Sequence, residues 1–243
     1  MSRIQEIYRA DYDGEYVVLN TKIEAGKKII EKEWVDNPIQ NQHISGRAAV
    51  IASGESRLVF DVARLERHRG GLLGSKKLQT YGTGQLHKEM QLDFFITLDP
   101  DKLKECIEDK YTERCTVYST ARNCIENPGE FFLIPQSMMG LTAVLATWLA
   151  CFDGHKEIFW LGLDGQMDEN YNNNVYIPKD DARKTSVSIS YKLNNSIAEL
   201  MQCYLGVDFY HVSNIKKVPE VWLEQPNFKQ MTYREWISYC DVQ

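Results

Sequence analysis

The chain carries no basic excess. Its 243 residues hold 28 lysines and arginines against 34 aspartates and glutamates, a net charge of -6. A general nucleic-acid binder has the opposite balance. No run of about 18 apolar residues occurs, so no membrane-spanning helix is expected. Met1–Glu6 lack an apolar stretch, and no secretory signal is expected. The six cysteines, Cys106, Cys115, Cys124, Cys151, Cys203 and Cys240, are far apart and form no C-x-x-C pair. That spacing argues against a zinc knuckle, and without a signal peptide a disulfide framework is not expected either. Reduced, mostly buried thiols and a cytoplasmic location follow. Gly70–Lys77 has the composition of a phosphate loop but lacks the Walker spacing. Gly82-Thr83-Gly84 lacks the third glycine and the acidic ribose partner of a dinucleotide fingerprint. Asp168-Glu169 lacks the ligand spacing of an EF-hand. There is no repeat, low-complexity tract or long linker.

What is present is ordinary globular material, 43% hydrophobic and 26% charged. Residues 4–21 predict a hairpin around Asp13-Gly14. Residues 22–46, polar and holding Asn37-Pro38, read as helix or loop. From residue 47 strands and helices alternate. Strands are expected at Arg47–Ala52, Lys77–Tyr81, Asp93–Leu98, Cys115–Tyr118, Phe131–Ile134, Glu157–Leu163 and Val207–His211. Helices are expected at Leu58–His68, Gly84–Met90, Pro100–Asp109, Met138–Phe152, Asp181–Leu205 and Thr232–Tyr239. Glu157–Leu163 is apolar nearly throughout, as a central parallel strand buried on both faces should be. The fold class is therefore α/β: a Rossmann-like, mainly parallel open sheet flanked by helices, with an N-terminal β-hairpin extension. Residues 1–46 form the extension and residues 47–243 the nucleotide-binding domain.

Ligands of such sheets sit beyond the carboxyl ends of the strands. The residues falling there are Ser53-Gly54-Glu55-Ser56, Tyr81-Gly82-Thr83-Gly84, Asp99-Pro100, Gln136-Ser137, Asp164-Gly165 and Val212-Ser213-Asn214. Gly54 lets a ligand approach the backbone, and Ser53 and Ser56 offer hydroxyls. Asp99 and Asp164 each have two readings. They are a helix cap and an Asp-Gly turn, or a pair of carboxylates for ribose or Mg²⁺. His211 at a strand end suits a general base, or a half-buried structural role. His155 reads as a surface residue, and His68 as part of a basic helix end. Gln166–Pro178, rich in Asn, Asp and Tyr, is long for an α/β connection and reads as a binding loop. Trp222, Phe228, Tyr233 and Trp236 read as core.

Two stretches carry a family likeness. Gln136–Ala146 followed by Gly154–Gly165 resembles the core of bacterial sialyltransferase-like glycosyltransferases. Ala52–Ser56, Gln79–Gly82 and Leu92–Pro100 resemble the archaeal-type hydroxymethylpterin diphosphokinase-like group, as does Phe209–Asn214. The likeness spans roughly residues 47–220. It implies a nucleotide-binding transferase using a nucleotide-sugar donor and an acceptor. The alternatives are a Mg²⁺-dependent ATP diphosphokinase or a non-catalytic nucleotide-binding or assembly module. By this likeness Ser53, Gly54, Glu55 and Ser56 form the phosphate loop, and Tyr81, Gly82, Ser213 and Asn214 adjoin it. Ser137 and Gly140 start a phosphate-facing helix, and Asp99 and Asp164 hold ribose or Mg²⁺. No tightly bound cofactor is implied, and a homo-oligomer is left open. The pattern also departs from the family. The Phe-Tyr that follows the acidic residue is Gly165-Gln166 here, so Tyr171 or Tyr176 takes the leaving-phosphate role. Tyr176–Asp181 lacks the family's general-base histidine, and His211 or an acidic residue takes that role. Thr80 or Tyr81 replaces the Asn after the second strand.

Overall fold

The computed structural model describes residues 4–9, 15–36, 46–71, 77–135, 140–165, 174–176, 187–214 and 218–242. Two sheets are present. The first is antiparallel and is built from β1 (Ile4–Arg9), β2 (Glu15–Glu24) and β3 (Lys27–Asp36), in the order β1-β2-β3. The β1–β2 pair is the anticipated hairpin; its turn lies outside the described residues. The structure corrects the reading of residues 22–46 as helix or loop, because β2 runs on to Glu24 and β3 begins at Lys27. The reversal is Ala25-Gly26, both at positive φ (48° and 77°). A two-residue turn of that hand matches the twist of two strands, and Ile23, Ile29 and Ile30 beside it favour extended backbone.

The second sheet has eight strands, every pair parallel, in the order β11-β10-β9-β4-β5-β6-β7-β8. Its strands are β4 (Arg47–Ile51), β5 (Gln79–Gly82), β6 (Phe94–Ile96), β7 (Thr116–Ser119), β8 (Phe132–Leu133), β9 (Glu157–Leu161), β10 (Asp208–Val212) and β11 (Phe228–Met231). From β4 the chain steps outward to β8. It then returns to the other side of β4 with β9 and continues outward to β11. The order reverses between β4 and β9, which is where an open parallel sheet forms a crevice.

The helices are α1 (Pro100–Glu108), α2 (Ala121–Glu126), α3 (Thr142–Phe152), α4 (Val187–Cys203), α5 (Glu220–Leu223) and α6 (Tyr233–Cys240). Alternate residues of the central strands feed two cores. Ala48, Val50, Phe94, Trp160 and Phe209 pack with α3 and α4 on one face, and Ala49, Ile51, Phe95, Phe159 and Tyr210 pack with α1 and α6 on the other. Both faces are covered, which is why Ile158–Leu161 is apolar at every position. Trp222, Trp236 and Tyr233 are core residues as expected.

Several expectations need correction. Leu58–His68 is two short 3-10 segments, Glu55–Val59 and Val62–His68. Asp61 separates them, its side chain accepting from the Ala63 amide at 3.2 Å. A carboxylate that captures a nearby amide competes with helix continuation. The helix expected over Gly84–Met90 is a single 3-10 turn at Leu86–Lys88. The short elements α2, α5 and β11 were not anticipated. His155 is fully buried rather than on the surface. The Gly70 and Gly71 amides donate to Asp93 Oδ1 at 2.8 and 2.7 Å, so these two amides already serve a buried carboxylate.

Candidate nucleotide site at the strand-order reversal

β4 and β9 run side by side past their formal ends. The Ala52 amide donates to Leu161 O at 2.9 Å, and the Gly54 amide to Gly162 O at 2.8 Å. The two chains then separate. Gly162 turns with φ +72°, a conformation open to glycine, and lies against the carbonyls of Ala52 and Gly54. On the far side of β4, the Thr83 amide donates to Ile51 O at 3.1 Å.

A cavity of about 300 Å³ opens at this point. Ala52, Ser53 and Gly54 wall it after β4, and Thr83 and Gly84 after β5. Gly162, Leu163, Asp164 and Gly165 wall it after β9. Leu141, Thr142 and Ala143 at the start of α3 close one side, and Lys102 from α1, Asn174 and Leu193 complete it. Among the described lining residues Asp164 is the one carboxylate and Lys102 the one cation.

Asp164 is anchored, not free-swinging. Its Oδ2 accepts from the Ser56 amide at 3.0 Å, and its Oδ1 from the Ser56 hydroxyl. Only 9% of its side chain is exposed. Charge-assisted bonds of this kind fix a carboxylate's orientation. Behind it stands His211, 2% exposed, with Nε2 3.7 Å from Asp164 Oδ1. Neither ring nitrogen of His211 has a hydrogen-bond partner among the described residues. The imidazole does not line the cavity and reaches it only through Asp164. The start of α3 is polar in a different way. Leu141 is its N-cap and carries no polar side-chain group, so its side chain serves none of the first-turn amides; the Val144 amide donates to the Leu141 carbonyl at 2.9 Å.

The remaining expected site residues fall in three groups. Ser53, Gly54, Ser56 and Asp164 are brought together; Glu55 lies in the same turn but not on the wall. Tyr81 is directed into the core, where its hydroxyl donates to Asp153 at 2.5 Å and meets His155 Nε2 at 2.9 Å. Gly82 lies against Leu92, with no room for a Cβ. Gly140 is described beside the α3 start but not on the wall, and Ser137 and Tyr171 lie outside the described residues. Ser213 is buried with its amide bonded to Met231 O at 2.9 Å, and Asn214 is exposed. Tyr176 stands beside the cavity. Its hydroxyl accepts from Arg57 at 2.8 Å, and Arg57 also forms two bonds to Glu89 at 2.8 and 2.9 Å. Burial, above all, and the Glu89 bond raise the Tyr176 phenol pKa and keep it protonated. The Val175 amide donates to Ser53 O at 2.8 Å, so residues 174–176 are tied to the cavity rim.

Asp99 caps α1 through the Asp101 amide at 3.0 Å and pairs with Lys102 at 3.2 Å. Burial acts to raise its carboxyl pKa, but the bonds from Lys102 and the Asp101 amide outweigh it and hold the pKa below the usual value. Asp99 is therefore occupied by a cap and a lysine, and Asp164 by Ser56. No group of three or more His, Cys, Asp or Glu residues among those described could hold a metal ion.

Sequence reasoning missed Lys102, Thr142 and Leu193, which come from elements distant in the chain, whereas Asn174 belongs to the expected binding loop Gln166–Pro178. It also missed Arg57 and Glu89 beside the rim. Gly162 left a signal, a lone glycine inside an apolar run.

No protein-family model and no curated protein matches the chain. Solved structures do. The sialyltransferase CstII from Campylobacter jejuni with the substrate analogue CMP-3FNeuAc is 13% identical, at a TM-score of 0.41 over 68% of this chain and 80% of that one. A CstII variant with CMP gives 13% and 0.44 over 68% and 81%. The enzyme with CMP and a trisaccharide acceptor gives 14% and 0.37 over 68% and 80%. Nothing in these comparisons supports the diphosphokinase-like part of the resemblance. At such identities the likeness concerns the α/β fold and assigns no residue a role.

Proposed function

We propose that the chain is a nucleotide-binding transferase of the glycosyltransferase type, taking a nucleotide-sugar donor in the cavity between β4 and β9. One observation carries the reading. Among the described lining residues a single anchored carboxylate, Asp164, and a single lysine, Lys102, share the cavity at the point where the strand order reverses. A nucleotide offers the matching pair of groups. Its ribose hydroxyls donate to Asp164, as a diol does to an acidic strand end in this class of sheet. Its phosphate takes Lys102, the Thr142 hydroxyl and the Thr142 and Ala143 amides at the start of α3. The sequence resemblance over residues 47–220 supplies the donor class.

On this reading Asp164 holds the ribose, while Lys102 and the Thr142 and Ala143 amides stabilise charge building on the departing phosphate. His211 acts on Asp164 from behind, as a positioning residue. Tyr176, held by Arg57 and Glu89, shapes the rim.

The test is calorimetry and thermal shift with CMP, CMP-sialic acid, UDP-sugars, ATP and GTP, each with and without Mg²⁺. A ligand at about 100 times its dissociation constant adds roughly 2.7 kcal/mol, a rise of several degrees for a domain of this size. Binding of a nucleotide or nucleotide sugar without Mg²⁺, lost in Asp164→Asn and weakened in Lys102→Ala with the fold intact, is the expected result. Strict Mg²⁺ dependence with ATP would favour the diphosphokinase instead. Binding without transfer to any acceptor would favour the non-catalytic module. No binding at all would remove the reading.

A further inference from the structure

The N-terminal sheet ends in a two-stranded ribbon that no other described strand joins. β1 pairs with β2 only as far as Thr21, so Lys22–Glu24 have β3 as their single described neighbour. Every residue from Ile23 to Glu31 is exposed. Ile23, Ile29 and Ile30 are 53%, 39% and 50% exposed. The outer edge of β3 pairs with no other described strand. A two-stranded ribbon alone is marginally stable in water, and a ten-residue edge with adjacent isoleucines is a template for another strand.

The charges on that edge say which strand. Side chains alternate along β3, so Lys27, Ile29 and Glu31 share one face and Lys28 and Ile30 the other. An antiparallel copy of β3, related by a two-fold axis at Ile29, sets Ile29 against its counterpart. Lys27 then faces the copy's Glu31, and Glu31 faces the copy's Lys27. On the other face each Ile30 lies against the stem of the copy's Lys28. Nowhere between residues 27 and 31 do like charges oppose. The strand is complementary to itself about a two-fold, which is the symmetry of most homodimers.

We propose that β3 is a dimerisation edge, pairing antiparallel with β3 of a second copy of this chain to form a continuous six-stranded sheet. The proposal is independent of the nucleotide reading, because no described residue of the arm lines the cavity.

Sedimentation equilibrium on the full chain tests it, with far-UV circular dichroism and thermal unfolding to check the fold of each variant. The wild type should be a dimer. Lys27→Glu turns two attractive cross-strand pairs repulsive and should weaken association roughly tenfold or more. It leaves the Lys22–Glu31 ion pair within the chain, 2.7 Å, untouched. Glu31→Lys should weaken association likewise. The Lys27→Glu, Glu31→Lys double variant should restore the dimer. Mixing the two single variants should give a heterodimer, since one then carries acids at both positions and the other lysines. A wild type that stays monomeric overturns the proposal. So does a dimer indifferent to the single changes, or a double variant and a mixture that both fail to restore pairing.

Discussion

Gly54→Ala isolates the close approach on which the cavity depends. Gly54 has φ -72° and ψ 154°, torsions open to any residue, so the substitution costs nothing in backbone conformation. Space is the whole issue. A Cβ there would lie inside contact distance of the Gly162 carbonyl oxygen, 2.5 Å from Asp164 Oδ2 and 2.9 Å from Asp164 Cγ. The first neighbour is backbone, held by the Gly54 amide at 2.8 Å. The second is a carboxylate tied to Ser56. Neither gives way without breaking a bond. Overpacking of this kind costs about 1–3 kcal/mol, or a fall in Tm of roughly 2–12 °C at about 2–4 °C per kcal/mol for this chain length. The second effect is functional: the Asp164 carboxylate must turn away from Ser56, and nucleotide affinity should fall with it. The control is Gly206→Ala, whose Cβ meets nothing within 4 Å and whose effect should stay within about 0.5 kcal/mol. Differential scanning calorimetry and nucleotide titration on both variants decide the matter. If Gly54→Ala melts with Gly206→Ala and binds as the wild type does, the packing argument is wrong.

Three further expectations concern other parts of the molecule. Tyr81→Phe removes a buried hydroxyl bonded to Asp153 and His155 and should cost about 1–3 kcal/mol by denaturant titration, with no change in nucleotide affinity because the side chain points away from the cavity. Burial acts to raise the Glu89 carboxyl pKa, but bonds from Arg57 and Tyr176 outweigh it and hold the folded value below the ordinary 4.5. A depressed folded pKa contributes stability above the unfolded value and loses it as pH falls through the folded one, so Glu89→Gln should flatten the acid limb of the stability profile. Cys203 is exposed, whereas burial pushes the thiols of Cys106, Cys115 and Cys240 up to about 12 and that of Cys151 well above its ordinary value. A thiol reagent at neutral pH should modify Cys203 first and those four only on unfolding, and fast modification of all six would contradict the packing.

The parallel sheet was legible because both of its faces are buried, which leaves unbroken apolar runs such as Ile158–Leu161 between turn residues. Asp99 before Pro100 announced the cap of α1, because capping is a contact between residues two or three apart. Local rules failed where the deciding contact was not local. Asp61 cut one expected helix in two, and the Ala25-Gly26 turn made strands of a charged segment that reads equally well as loop.

For the site, the sequence by itself determined which loops carry small and acidic residues at strand ends: Ser53–Ser56 and Asp164 needed only the alternation of strand and helix to be nominated. Tertiary structure decided the rest. That β9 returns to lie beside β4, which joins Ser56 to Asp164 across 108 positions, is a matter of strand order that no local pattern encodes. Which way a strand residue faces is fixed by register. Tyr81, one residue before a strand end, therefore went to the core, while Lys102, on the helix after another strand, reached the cavity.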